Sequence, residues 1–443
     1  MLEVLKNSWA LLLGILLLML GNGLQSSLIG VRGAIEAFST NDLAIINSAY
    51  FVGFLFGSRL APEMIRRVGH VRVFAALGSF ISAIIIMYPA LTEVWAWTLL
   101  RVAFGFCFSG VYVTAESWLN NSATNATRGK ALSLYMIVQM TGIVSSQALL
   151  NVADPAGYVL FVIPSVLVSL AFAPILLTVT PTPAFETTKG KSLKELYVVS
   201  PTGVVGIFLM GMIFGALFGM GSVYATSVDM TVAQLSIFVS TIFIGGLVLQ
   251  YPIGWMSDRI DRRILIFAAA IGGVIAGLLG WMFGTSFELV LISAFLMGGV
   301  SNPLYALLLA YTNDYLEVDD MASASGGMLF INGLGAISGP ILVGGFMSLL
   351  GPGGFWAYLT CVMLAMAVHV AYRMTQRVSL YADEDDYDAV AYAPIMPTGT
   401  GVAVEAAADY YAENTDAESE TGSDTESNTV GTENNNEPMK PLD

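Results

Sequence analysis

The chain has 443 residues, of which 56% are hydrophobic and only 12% charged, and its mean hydropathy is +0.71. A soluble chain carries roughly 25% charged residues, so this composition excludes an ordinary soluble enzyme. The net charge of −15 is confined to one end: residues 379–443 hold 16 acids and a single base, Lys440, leaving 17 acids and 17 bases in the rest.

Apolar stretches of about the 20 residues needed to cross a bilayer recur throughout. They are predicted at 9–30, 43–61, 72–90, 94–115, 131–151, 157–179, 203–224, 232–254, 263–284, 288–311, 324–349 and 354–375. All twelve must be helices, because lipid offers no partner for backbone N–H and C=O groups. The first begins like a secretory signal, with Lys6 ahead of an apolar run. That run reaches Leu28 with no small-residue cleavage site, so an uncleaved span is expected. Residues 180–202 are the longest hydrophilic interruption, opened by Pro181 and Pro183, and 192–199 reads as a short surface helix within it. The predicted organisation is a six-helix bundle over 1–180, a cytoplasmic linker over 181–202, a second bundle over 203–378, and a disordered acidic tail over 379–443, too polar to fold alone.

Basic residues orient the spans. With the N-terminus inside, fifteen Lys and Arg fall on the inner side, from Lys6 through Arg66, Arg67 and Arg259 to Arg377. The outer loops hold one, Arg32, and Arg101 lies within the fourth span. This positive-inside bias also supports the even span count and places both termini in the cytoplasm. The two halves echo one another. Arg66-Arg67-Val68-Gly69-His70-Val71-Arg72 follows the second span, and Asp258-Arg259-Ile260-Asp261-Arg262-Arg263 follows the eighth, 192 residues on. That spacing predicts two parallel six-span repeats.

Three motifs carry chemistry. The first is the loop running from Gly254 through Asp258, Arg259 and Asp261 to Arg262 and Arg263. It resembles the G-x-x-x-D-R-x-x-R-R signature of the major facilitator superfamily. The resemblance implies a conformational latch: Asp258 at an inner helix end, with Arg262 as its expected partner. Asp261 stands where the family usually has Gly. In the first-half copy Arg67 and Gly69 keep the pattern, Arg66 replaces the acid, and Glu63 is either a substitute carboxylate or an exposed interfacial acid. The second is Arg101-Val102-Ala103-Phe104-Gly105, similar to the family's R-x-x-x-G, whose Arg is implicated in proton coupling. Arg101, Gly105, Tyr112 and Glu116 share one helix face. Arg101 and Glu116 lie about 22 Å apart along it, so they bracket a polar path rather than pair. The alternative for Arg101 is a structural clamp on backbone carbonyls. The third is Gly335-Ala336-Ile337-Ser338-Gly339-Pro340 in the eleventh span, which predicts a bend and close packing. Drug antiporters of the superfamily carry a similar motif in the fifth span, where this chain has no Pro.

The stretches Tyr50–Gly53, Ile65–Arg72, Glu116–Asn120, Arg128–Lys130 and Asn313-Asp314 together resemble the YcaD-like branch of the superfamily, over about residues 5–378. The resemblance implies a monomeric all-α transporter with a substrate site between the bundles near the midplane. The cavity candidates are Asn22 and Gln25, Tyr112, Gln139, Asn302 and Tyr305, each alternatively interhelical glue. Cys107 and Cys361 read as core residues, the two His are too scattered for a metal site, and no Walker loop is present, so neither metal, cofactor nor nucleic acid is expected. The expected function is secondary active transport of a small organic solute across a bacterial inner membrane, with protons as coupling ion. The alternatives are a polyspecific efflux antiporter and a non-transporting sensor or scaffold that uses the tail.

Overall fold

The computed structural model describes residues 2–122, 125–176, 193–316 and 318–376. The linker and acidic tail predicted above lie mostly or wholly outside these residues. Six long helices come first: α1 (Leu2–Ile35), α2 (Thr40–Val68), α3 (His70–Met87), α4 (Val94–Ser122), α5 (Asn125–Leu149) and α6 (Val159–Leu176). The short α7 (Leu193–Val199) falls on the surface helix expected at 192–199. Six more follow: α8 (Pro201–Ser227), α9 (Val232–Ser257), α10 (Arg262–Met282), α11 (Phe287–Asn313), α12 (Val318–Leu350) and α13 (Gly354–Gln376). Among the described residues, eleven helices are long and apolar enough to cross a membrane, and a twelfth apolar helix, Val159–Pro174, is shorter. Several outrun the sequence prediction: α2 continues to Val68 and α4 to Ser122, carrying polar residues past the apolar stretch.

Helix pairing repeats between the halves. In the first, α1 packs on α5 and α6, α2 on α4, and α3 on α4 and α6. In the second, α8 packs on α12 and α13, α9 on α11, and α10 on α11 and α13. These are the same pairs, giving two pseudo-symmetric six-helix bundles. The bundles meet through α2 against α12 and α8, α5 against α9, and α1 against α8.

Turn chemistry shows the repeat more sharply than the loops did. After α1, the Phe38 N–H bonds to the Gly33 carbonyl and the Ala37 N–H to the Ala34 carbonyl, with Ala37 left-handed at φ 58°. This is a Schellman closure of the helix end. After α8, the Met230 N–H bonds to the Ala225 carbonyl and the Asp229 N–H to the Thr226 carbonyl, with Asp229 at φ 56°. Two residues later each turn starts the next helix with a capping box, Ser39 with Asp42 and Thr231 with Gln234. Each member of the second turn lies 192 residues after its counterpart.

Glycine contacts repeat between the halves as well, 192 residues on for α2 and α9 and 193 for α4 and α11. A methyl on Gly53 of α2 would overlap the Val102 carbonyl oxygen of α4, and one on Gly105 of α4 would overlap that of Tyr50 on α2. Gly245 of α9 and Gly298 of α11 stand in the same reciprocal relation to Phe295 and Ile242. In a membrane, where burying apolar surface gives little drive, such backbone approach supplies dispersion contact instead. The eleventh-span motif packs closely, as predicted: Gly335 and Gly339 sit against the backbone oxygens of Phe208 and Met212 on α8.

The turns between α2–α3 and α9–α10 diverge. Gly69 takes φ +85°, a conformation that favours glycine. Asp261 instead adopts φ −47° and caps α10 by accepting from the Arg263 N–H. A carboxylate cap thus replaces the glycine turn expected from the family pattern. Arg32 is occupied locally: it pairs with Glu36 at 2.6 Å and donates to the carbonyls of Pro155, Ala156 and Gly157 between α5 and α6. Arg32→Ala is expected to raise amide hydrogen exchange across residues 154–158 by roughly tenfold, through loss of about 1–2 kcal/mol of charged hydrogen bonding. Unchanged exchange there would show that the loop holds itself.

Candidate functional site

The fold leaves a central cavity between the bundles, about 800 Å³ of open space that includes solvent at its mouth. The first bundle contributes its polar wall, from Asn22, Ser26, Ser27, Asn47, Tyr50, Arg101, Tyr112 and Gln147 on α1, α2, α4 and α5. The second contributes Phe214, Leu217, Phe218, Val239, Ile242 and Phe243 from α8 and α9, with Ser222 its one hydroxyl. Arg101 anchors the polar side and is only 3% exposed. Its Nη1 donates to Gln25 Oε1 at 2.7 Å and its Nη2 to Asn47 Oδ1 at 3.0 Å. Its guanidinium carbon lies 5.4 Å from the Tyr50 ring centroid and 5.8 Å from that of Phe104, within cation–π range. Arg101 is thus held by side-chain amides, where the clamp alternative named backbone carbonyls.

Below Arg101 a polar sequence continues along α4. Asn22 Nδ2 donates to Tyr112 Oη at 3.4 Å, and Tyr112 Oη to Met19 Sδ at 3.2 Å. Further on, Glu116 is 2% exposed and accepts from Tyr135 Oη of α5 at 3.2 Å. Nearby, His70 Nε2 and Ser117 Oγ are 2.9 Å apart. Buried tyrosines and amides lie between Arg101 and Glu116.

The other cavity candidates divide. Asn22 and Tyr112 line the cavity, and Gln25 touches it through Arg101. Gln139 is buried on α5 one turn beyond Tyr135, Asn302 sits over Gly246 of α9, and Tyr305 is buried on α11 within electrostatic reach of Glu116. None of these three forms part of the cavity wall. Sequence reasoning missed Asn47, an amide inside the second span and so available to the same logic that chose Asn22. It also missed the aromatic wall. Phe51 and Phe214 meet edge-on across the two bundles, with centroids 6.3 Å apart. They separate the central cavity from a smaller one of about 390 Å³ towards Leu55, Ser58 and Leu329.

At the α9–α10 loop, Asp258 is the C-cap of α9 and Gly254 is buried one turn earlier. Arg262 donates Nε to Ser257 Oγ at 3.2 Å and forms an ion pair with Asp314, at the end of α11. Asp314 entered the sequence reading only through the resemblance, not as a partner of Arg262. The Arg262 and Asp314 side chains are 1% and 3% exposed. Arg263 pairs with Asp261 at 2.9 Å, and Arg259 lies over the Trp255 ring at 4.2 Å. In the first half, Glu63 pairs with exposed Arg66 and Arg67 at 2.7 and 2.6 Å, so the two copies of the loop are not equivalent.

The sequence model of the Major Facilitator Superfamily matches twice, over residues 11–231 and 204–386. The chain belongs to the major facilitator superfamily. The double match fits the two bundles. Among curated relatives, the MFS-type transporter YcaD of Escherichia fergusonii is 25% identical over 334 residues, covering 74% of this chain and 86% of the relative. YcaD of Salmonella arizonae is 25% identical over 338 residues, with the same coverage. Among solved structures, a mutant of the nucleoside transporter NupG aligns with TM-score 0.70 at 15% identity, over 82% of this chain and 98% of its own. A bacterial homologue of the human lysosomal transporter Spinster, inward-facing and unoccupied, aligns with TM-score 0.63 at 14% identity, over 92% and 98%. At that identity the solved structures speak for the superfamily fold alone. As a superfamily member with this helix count, the chain is a multi-pass membrane protein.

Proposed function

We propose that the chain is a secondary active transporter that carries a small organic solute across a bacterial inner membrane by alternating access, coupled to protons. The observation that carries this reading is the central cavity, whose wall is shared between two bundles that each pack internally and meet along few helices. Rocking of one bundle on the other would expose such a cavity to each side in turn. The base count supports cytoplasmic termini, with 1–180 and 203–378 as the moving units, 181–202 as their linker and 379–443 as a cytoplasmic tail.

Roles within this reading divide by chemistry. Arg101 keeps its charge at all accessible pH, so it acts electrostatically, supported by the close approach at Gly105. Glu116 is a buried carboxylate that can gain and lose a proton, and it is the coupling residue. Gly254, Asp258, Arg259, Arg262 and Arg263, with Arg67 and Gly69 in the other half, form the latch on the inner face. Proteoliposome uptake of a solute panel, with and without an inward-acidic or outward-acidic gradient, tests the whole. Glu116→Gln is expected to reduce gradient-driven accumulation to the level seen without a gradient, while solute exchange at equal concentrations continues. Full gradient-driven accumulation by that variant would remove Glu116 from the coupling role, and movement of no solute by the wild type would refute transport itself.

A further inference from the structure

The two arginines buried among the described residues are treated differently. Arg262 has the carboxylate of Asp314. Arg101 has only neutral acceptors, the amide oxygens of Gln25 and Asn47, and its Nε has no partner. No ion pair is formed by Arg101, and no Asp or Glu lies in the cavity wall. A cation removed from water and left without a counter-ion is costly, and here it lines the central cavity between the bundles. We infer that this cavity takes amphipathic organic monoanions, with a carboxylate set against Arg101 and an apolar body against Phe214, Phe218 and Phe243. This deepens the transporter reading and rests on it.

The rest of the wall agrees. Each Nη of Arg101 uses one hydrogen on an amide, which leaves the other, together with Nε–H, for a planar anion; guanidinium suits carboxylate in this way. Ser26 and Ser222 add hydroxyl donors along the same wall. A solute cation finds no acid to pair with and is repelled by Arg101. A neutral solute leaves the guanidinium as it was. Only an anion neutralises the charge as it fills the apolar space, and a single guanidinium matches a single negative charge.

The test uses the full chain purified in detergent and three carboxylates of different body: phenylacetate, indole-3-acetate and decanoate. Each is paired with its primary amide and with the corresponding amine, and binding is read by calorimetry and by thermal shift. At least one carboxylate should bind, its amide and amine about 30-fold more weakly or worse. Arg101→Lys should keep the order of preference at lower affinity, and Arg101→Gln should abolish it. An amide or amine that binds as tightly as its carboxylate would overturn the inference. So would binding of none of the three carboxylates by folded wild type, or an unchanged preference in folded Arg101→Gln. If Arg101→Gln does not fold, the wild-type series and Arg101→Lys still decide. Counterflow in proteoliposomes separates the two levels: carboxylates that bind but are never moved refute transport and leave the site, whereas movement of neutral or cationic solutes alone leaves transport and refutes the site.

Discussion

Asp314→Ala should destabilise the protein by about 3–5 kcal/mol, the cost of stranding a buried charge. Arg262, whose side chain is 1% exposed, would lose its ion pair in that site. The readout is the yield of monodisperse protein after stepwise heating in detergent. The control is the double replacement Arg262→Met with Asp314→Leu, which removes both charges and fills similar volume. Replacing a buried pair with apolar residues is often neutral or better, so the double variant should recover most of the loss. Recovery of stability without recovery of transport would assign the pair to switching. A single variant as stable as wild type would mean that water or another group already satisfies Arg262.

Gly105→Ala should be comparably damaging for a different reason. The added methyl meets the Tyr50 carbonyl oxygen of α2, a backbone atom that cannot rotate aside. Overpacking usually costs about 1–3 kcal/mol, and with backbone on both sides this position should lie at or above the upper end. Because Arg101 is one turn away and Tyr50 contributes to the cavity wall, the same shift would displace the guanidinium from Gln25 and Asn47. Gly298→Ala provides the internal control. It makes the equivalent clash with Ile242 on α11 and α9, but it has no arginine beside it. Both variants should lose thermal stability to a similar degree, while only Gly105→Ala should also alter solute binding measured on the surviving folded fraction. Equal binding by the two would uncouple the helix contact from the site.

Much of the architecture was legible because a bilayer imposes strong rules. Long apolar runs, the asymmetry of bases and the hydrophilic break at 180–202 led directly to twelve spans in two halves. The family motif at Gly254–Arg263 placed the loop between α9 and α10. What escaped was of two kinds. The Arg262–Asp314 pair joins residues 52 positions apart, and a local motif names one partner without its mate. The aromatic wall escaped because membrane helices are apolar towards lipid as well as towards their neighbours. Phe214 and Phe218 face the cavity while Phe56 and Phe80 are exposed on the outside, and periodicity does not tell these apart. The repeat itself was more visible than the loops suggested. Ser39 with Asp42, and Thr231 with Gln234, are capping boxes that can be read from sequence.

The uneven cavity wall has a mechanical consequence. Nearly every hydrogen-bonding group around the central space belongs to α1, α2, α4 and α5, while α8 and α9 offer rings and branched aliphatic chains. A passenger tethered by its polar end to the first bundle would travel with it as one body. The opposite wall could then slide across the passenger without breaking directional bonds, a low-friction bearing surface rather than a second grip. Affinity and speed would accordingly reside on different bundles, and polar substitutions at Phe214, Phe218 or Phe243 would act as brakes before they acted as ligands.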